Sequence, residues 1–359
     1  MDVFNKYIDC IYKSFVGPLW YNPTQQKKDE FKNDLIKFLT TDFPNKDNNK
    51  NKLKLSLKNK LIKYSTIKTL FDCSGSDFEY IKRGTYGFIY KLNDKIVIKY
   101  PSLNNSICLD DSENSLIITI LFIEEQVSNI LLYCLYNEIL YTFPHYIQCV
   151  PEIISIVKVE SENGNHNLGS MMEKLEPIFK INMTLESLIN YLIQIANALY
   201  YLQEKLQFMH RDLHSGNILM TKNPNQNKTI KLCTGDYLEN QQYIIKIIDF
   251  GNVSMKIGDL EINTNSMNQP NYKKHVFNPT HDLRMLCASL YQTQIPKIFD
   301  VLYPFFNVDI KDIPSKSYFH HKYYSPVNIH DDNFLPKNFI RELLNFQNSG
   351  DLPLKMILS

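Results

Sequence analysis

The stretch FMHRDLHSGNILM, residues 208–220, sets an Arg-Asp pair, two histidines and an asparagine among apolar residues. Such groups cost free energy in an apolar setting unless something satisfies them or they are held ready for a ligand. Asp212 and Asn217 stand five apart in one loop. Further on, Asp249-Phe250-Gly251 directly follows the apolar run YIIKII. A lone Asp-Phe-Gly reads as a turn. Coming after Asp212 and Asn217, a loop and a strand pair, it reads as a second position for a metal ligand. Upstream, Gly84-Thr85-Tyr86-Gly87 breaks a strand pattern. Glycine there lets backbone N–H groups approach a phosphate with no Cβ in the way, although glycines are common in hairpins of every kind. Lys99 closes the β-branched run KIVIK, where the plain reading is a strand-edge lysine.

Positioning these residues is the task of the surrounding elements. Residues 78–100 read as three antiparallel strands, broken at Gly84–Gly87 and turned at Asn93-Asp94. Residues 102–114 are polar and read as loop. From Leu116 to Phe143 the pattern is helical and apolar nearly all round, which predicts a buried helix that Pro144 ends. VPEIISIVKV and LGSMMEKL read as two further strands. Leu188, Leu192, Ile195, Leu199 and Leu202 then recur at steps of four and three, a strong helix with Thr184 as its N-cap. NILM and YIIKII are short strands, separated by a polar insertion at 222–242 that adds a hairpin of its own. The C-terminal third is helix and loop. The outline is α+β, a small sheet-rich lobe followed by a helix-rich one.

With 359 residues, 44% of them hydrophobic, the chain can build two lobes with a sizeable core. Its net charge of +1 gives no general attraction to nucleic acid or membrane. Residues 1–75 are the exception: fourteen Lys against eight Asp and Glu leave them at +6. They read as a basic helical extension containing the polar stretch NKDNNKNKLKLSLKNK. Its Lys run is a solvated face in the plain reading, and the docking face for an acidic or phosphate-rich partner in the sharper one. The seven cysteines form no CxxC pair, which predicts reduced thiols and a cytoplasmic setting, with Cys149 and Cys287 in the core. The N-terminus does not read as a signal peptide. The longest uncharged apolar run, Leu116–Ile123, is too short to span a bilayer.

GTYG, IVIK, HRDLHSGN and DFG, in that order and on these elements, resemble the motifs of the protein-kinase superfamily. The resemblance covers roughly residues 78–300 and implies a two-lobed kinase-like fold. It implies an N-lobe at 76–175 with an antiparallel sheet and a mainly helical C-lobe at 176–359, preceded by the 1–75 extension. It further implies ATP- and Mg²⁺-dependent phosphoryl transfer to protein Ser/Thr hydroxyls. In that reading Asp212 is the catalytic base and Lys99 pairs with the α/β-phosphates. Asn217 and Asp249 hold Mg²⁺, and Gly84, Thr85, Tyr86 and Gly87 cover the phosphates. Met172 guards the back of the nucleotide pocket. Glu173, Lys174 and Leu175 form the hinge whose backbone reads adenine, under the apolar cover of Ile89 and Val97. The partner of Lys99 is chosen among Glu124, Glu125 and Glu138. Glu138 is preferred, being in the second half of the helix, and Glu125 is the alternative. Asp282 in HDLRML matches the buried Asp that braces the catalytic loop.

The sequence also departs from that pattern. Lys82 occupies the first glycine position of the phosphate loop, so the loop is held less closely or Lys82 itself contacts phosphate. His214 stands where Ser/Thr-directed members carry Lys. The Ala-Pro-Glu end of the activation segment is replaced by NQPNYKK. Arg211 could receive a phosphate from Ser254, Thr264 or Ser266. The divergence, the Asn/Lys-rich composition and the insertion resemble kinases of large DNA viruses. Two other readings stay open: a catalytically weak kinase-like binding module, and a small-molecule phosphotransferase, which DLHSGN also resembles.

Overall fold

In a computed structural model of the chain, the described residues are 68–71, 79–83, 87–101, 125, 128, 129, 132, 133, 147–160, 166–178, 184–223, 229–239, 241–257, 260–263, 277–290, 301–306 and 331–349. The N-terminal lobe is a six-stranded sheet. Its strands are β1 (Lys68–Phe71), β2 (Glu79–Arg83), β3 (Gly87–Lys91), β4 (Ile96–Pro101), β5 (Ile153–Glu160) and β6 (His166–Glu173). They lie in the order β1-β5-β6-β4-β3-β2. Every neighbouring pair is antiparallel except β1 and β5. The three strands expected over 78–100 and the two after Val150 therefore form one surface. The turn between β3 and β4 is closed by Asn93, whose side chain accepts from the Lys95 N–H. β1 was not foreseen. It brings residues 68–71, read as part of a helical extension, into the lobe as an edge strand. Residues 1–67 lie outside the described residues.

Glu125, Ser128, Asn129, Leu132 and Tyr133 are helical. The first four fall at i, i+3, i+4 and i+7 and are all buried, as one face of a core helix requires.

The second lobe is organised on α1 (Leu185–Leu206). Thr184 caps it as expected, its hydroxyl oxygen accepting from the Ser187 N–H at 3.1 Å. It ends where Gln207 turns left-handed at φ +46. Leu188, Leu192, Ile195, Leu199 and Leu202 are fully buried, each contributing about 1.5–3 kcal/mol of apolar transfer. Two buried amides in the same helix secure its neighbours. Gln194 donates to the Tyr243 carbonyl and accepts from the Ile245 N–H, holding β11 (Tyr243–Ile247). Asn197 accepts from the Cys233 N–H, holding the insertion, whose strands β9 (Ile230–Lys231) and β10 (Tyr237–Leu238) pair antiparallel as the expected hairpin.

β11 pairs with β8 (Ile218–Lys222), which also takes β7 (Glu176–Pro177) as a neighbour. A second hairpin, β12 (Ser254–Ile257) with β13 (Leu260–Asn263), follows Asp249-Phe250-Gly251. α2 (His281–Leu290) is buried at every position. α3 (Pro336–Ser349) packs on α1, with Gln347 donating to Asn190 at 2.8 Å. Cys149 and Cys287 are buried in the core, as expected. No helix among the described residues is long and apolar enough to cross a membrane.

Candidate active site

Lys99 lies on β4 between Ile89 of β3 and Ser170 of β6, which are its direct cross-strand partners. Its Nζ sits 2.6 and 2.7 Å from the two carboxylate oxygens of Glu125. This corrects the preference for Glu138. The acid that meets Lys99 is in the first half of the 116–143 stretch, on the buried face with Ser128, Asn129 and Leu132, and Glu138 lies outside the described residues. The apolar pattern, nearly continuous around that helix, could not mark which turn faces the sheet.

Burial opposes charge on Lys99, but Glu125 and Asp249 together outweigh it and hold the ammonium above its ordinary pKa. Burial pushes the Glu125 carboxyl up to about 7 against the pull of Lys99, and the negative Asp249 adds to the rise. Lys99, Glu125 and Asp249 thus share one electrostatic environment, although they come from a strand, a helix and a loop.

The loop after α1 is held from below by α2. Asp282, fully buried, accepts from the His210 N–H through Oδ2 at 2.7 Å and from the Arg211 N–H through Oδ1 at 3.0 Å. Burial raises the Asp282 pKa, while His210, Arg211 and these two N–H groups pull it down. Ser289, also on α2, accepts from the Ser215 N–H. Sequence reasoning found the first brace and missed the second. His281 beside Asp282 is held down to about 3 by burial and by Arg284 and Arg211.

Asn217 closes the loop on itself. Its Nδ2 donates to the Asp212 carbonyl at 2.9 Å, and its own carbonyl accepts from the Ile248 N–H at 3.0 Å. Asp212, Asn217 and the residue before Asp249 are thereby joined, so the positions singled out in sequence come together. With its amide nitrogen engaged, the Asn217 side chain leaves its oxygen as the free end. Asp249 is half-buried and sits in the left-handed region at φ +67. Arg211 is there too, at φ +64. Such backbone costs about 1–3 kcal/mol per residue and persists where the surroundings impose it. Arg211 links the two segments: its guanidinium donates to the carbonyls of Asn252 and Val253, just past Gly251.

His210 and Phe250 are packing residues, as expected. Their rings lie 5.6 Å apart and both touch Phe208. His210 Nε2 donates to the Ile248 carbonyl at 2.9 Å. His214 has a local task that its sequence position did not suggest. Its Nδ1 accepts from the Gly216 N–H at 3.0 Å, and a Cβ on Gly216 would come within 2.9 Å of the His214 ring. A larger residue at 216 would therefore displace the His214 ring.

At the other side of the cleft, Val97 and Met172 are buried cross-strand partners. The segment read as the hinge is tied at its start: the Glu173 N–H donates to the Glu152 carbonyl and the Lys174 N–H to the Lys95 carbonyl. The Glu173 side chain accepts from the Glu152 N–H and pairs with Lys246 of β11 at 3.0 Å. Lys246 is buried, a link that the strand pattern YIIKII concealed. Of the residues expected to cover the phosphates, Gly87 starts β3, while Gly84, Thr85 and Tyr86 lie outside the described residues. Ser254 is buried, which corrects its selection as a phosphate acceptor for Arg211; Thr264 and Ser266 lie outside the described residues.

Residues 106–274 match the family model described as protein tyrosine and serine/threonine kinase. The match begins beyond Lys99. With the four ordered motifs and the two-lobed α+β architecture, this match over just under half of the chain supports membership of the protein-kinase superfamily. A probable serine/threonine-protein kinase of Dictyostelium discoideum is 34% identical over 109 residues, 28% of this chain and 9% of that relative's length. A solved kinase-dead mutant of the Toxoplasma gondii kinase Ron13 aligns with 84% of this chain and 40% of its own, at 9% identity and a TM-score of 0.36. Neither is viral.

Proposed function

We propose that the chain transfers the γ-phosphoryl group of ATP to Ser or Thr hydroxyls of proteins, with Asp212 as the catalytic base. The observation that carries this reading is the Lys99–Glu125 ion pair, with Asp249 acting on both groups electrostatically and its neighbour Ile248 bonded to the Asn217–Asp212 loop. Phosphoryl transfer needs positioning and charge neutralisation more than covalent chemistry, and this arrangement supplies both. Lys99, kept charged by Glu125, neutralises the α/β-phosphates. Met172 closes the back of the base pocket, and Ile89 and Val97 cover the ring. The N–H groups of Glu173 and Lys174 are engaged within the lobe, so the Glu173 carbonyl and the Leu175 backbone are left to read adenine.

The donor set fits Mg²⁺. Asp249 offers a carboxylate, and Asn217 offers an amide oxygen whose nitrogen is already engaged; hard oxygen ligands suit this ion. Bound there with the nucleotide, Mg²⁺ would neutralise phosphate charge and orient the transferred group. Asp212 then accepts the proton of the attacking hydroxyl, a role worth about 10²–10⁴ in rate.

The purified chain, given ATP labelled at the γ-phosphate, Mg²⁺ and a basic protein, is expected to label the protein on Ser and Thr. Label on Tyr alone would overturn the Ser/Thr assignment. Label carried only by hydroxylated metabolites offered in parallel would overturn the protein-substrate assignment.

A further inference from the structure

The β2–β3 register contains a bulge, and it changes which side chain reaches the site. Glu79 and Tyr80 of β2 oppose Lys91 and Tyr90 of β3, but the next pairs are Lys82 with Ile89 and Arg83 with Phe88. Ile81 is the extra residue. In an unbroken register it would oppose Ile89, and Lys82 would fall on the other face. A bulge re-aims the side chains beyond it. Residues directly opposite across an antiparallel pair share a face. Ile89 opposes Lys99 in turn, so Lys82, Ile89 and Lys99 form one row on the face where Lys99 meets Glu125. With strands about 4.8 Å apart, Lys82 stands roughly 10 Å from Lys99 across Ile89.

Lys82 is exposed, and no acidic side chain among the described residues pairs with it. It occupies the next-to-last position of β2, five residues before Gly87, where β3 begins. We infer that Lys82 is a phosphate-binding residue, supplying a second cation to an anionic oxygen of the nucleotide's polyphosphate from the side of Ile89 opposite Lys99. The inference rests on the nucleotide reading proposed above. Chemically, a lysine ammonium is a mobile point charge with three donors and needs no fixed bidentate geometry. A flexible four-carbon stem at the edge of the sheet can follow the phosphates, where a glycine at this position could offer only its backbone.

The test is equilibrium binding of the full chain to Mg·ATP, Mg·ADP and adenosine, for wild type, Lys82→Gln and Lys82→Arg. Lys82→Gln is expected to weaken ATP and ADP roughly five- to tenfold, the size of one partly solvated charge-assisted hydrogen bond. It leaves adenosine affinity unchanged, and Lys82→Arg keeps most of the ATP affinity. Unchanged ATP binding in Lys82→Gln, or an equal loss for adenosine, would overturn the inference alone. A wild-type chain that binds neither ATP nor adenosine would overturn the nucleotide reading and the inference with it. Lys82 is exposed, so neither substitution disturbs the core.

Discussion

The Lys99 ammonium bridges both oxygens of the Glu125 carboxylate, at 2.6 and 2.7 Å, across 26 residues of sequence. Removing one partner of a buried pair leaves the other uncompensated and free to move. Glu125→Ala is therefore expected to lower kcat/KM for ATP by about 10²-fold, the usual cost of an ångström of misplacement at a reacting centre. Glu138→Ala is expected to leave it unchanged. Steady-state kinetics on both variants decide the pairing, and the reverse result would return the role to Glu138.

The same pair predicts a pH dependence. As pH falls through about 7, Glu125 takes up a proton and Lys99 loses its counter-charge, so kcat/KM for ATP has an acid limb near 7. In Glu125→Gln that limb is absent and activity is low throughout. Stability has the opposite sign. A carboxyl raised above its ordinary 4.5 in the folded chain contributes fully below 4.5, and the contribution is lost as pH rises through about 7. The raised Lys99 contributes below 10.5, and that contribution is lost as pH rises through its folded value. A pH–rate profile of the two proteins checks the limb.

Asp282→Ala strips two buried N–H groups of their acceptor. Each unsatisfied group costs about 1–3 kcal/mol, so a loss of about 2–6 kcal/mol is expected in denaturant unfolding. Asp282→Asn keeps the shape and one acceptor oxygen, and it should fall between.

Arg211 is already engaged by the carbonyls of Asn252 and Val253, and Ser254 is buried. Ser254→Ala is therefore expected to leave phosphate transfer unchanged. A large loss, restored by an acidic residue at 254, would show that a phosphate on Ser254 does engage the site.

Asp249→Asn and Asn217→Ala should each raise the Mg²⁺ concentration needed for half-maximal transfer while leaving adenosine binding intact. Titration of Mg²⁺ against rate, with adenosine binding as control, tests both.

Much of this arrangement was legible in the sequence, because its signals are local. Thr184 before a run of leucines, Asn93-Asp94 between β-branched runs, and the polar insertion each announce an element through its own turn or period. Asp212, Asn217 and Asp249 were found because a carboxylate or amide is unusual in or directly after an apolar stretch, and Asp282 because HDLRML resembles a family motif. What escaped depends on register and docking. The choice between Glu125 and Glu138 turns on which helical turn meets β4, and both lie in a stretch apolar nearly all round. Lys246 looked like one residue of a strand, because its partner Glu173 comes from across the cleft. The bulge at Ile81 changes the face on which Lys82 emerges, and no periodicity within β2 reveals a pairing shift against β3. β1 draws its stability from β5, distant in sequence, and residues 68–71 carry no strand signal strong enough to override the Lys-rich surroundings.

The central claim is that Asp212 takes the proton of a hydroxyl attacking ATP held by Lys99, Asn217 and Asp249. The most direct measurement is γ-phosphate transfer by purified Asp212→Asn beside wild type, with nucleotide affinity measured on the same samples. The account predicts a fall in rate of about 10²–10⁴-fold at nearly unchanged ATP affinity. Wild-type rates in Asp212→Asn would contradict it.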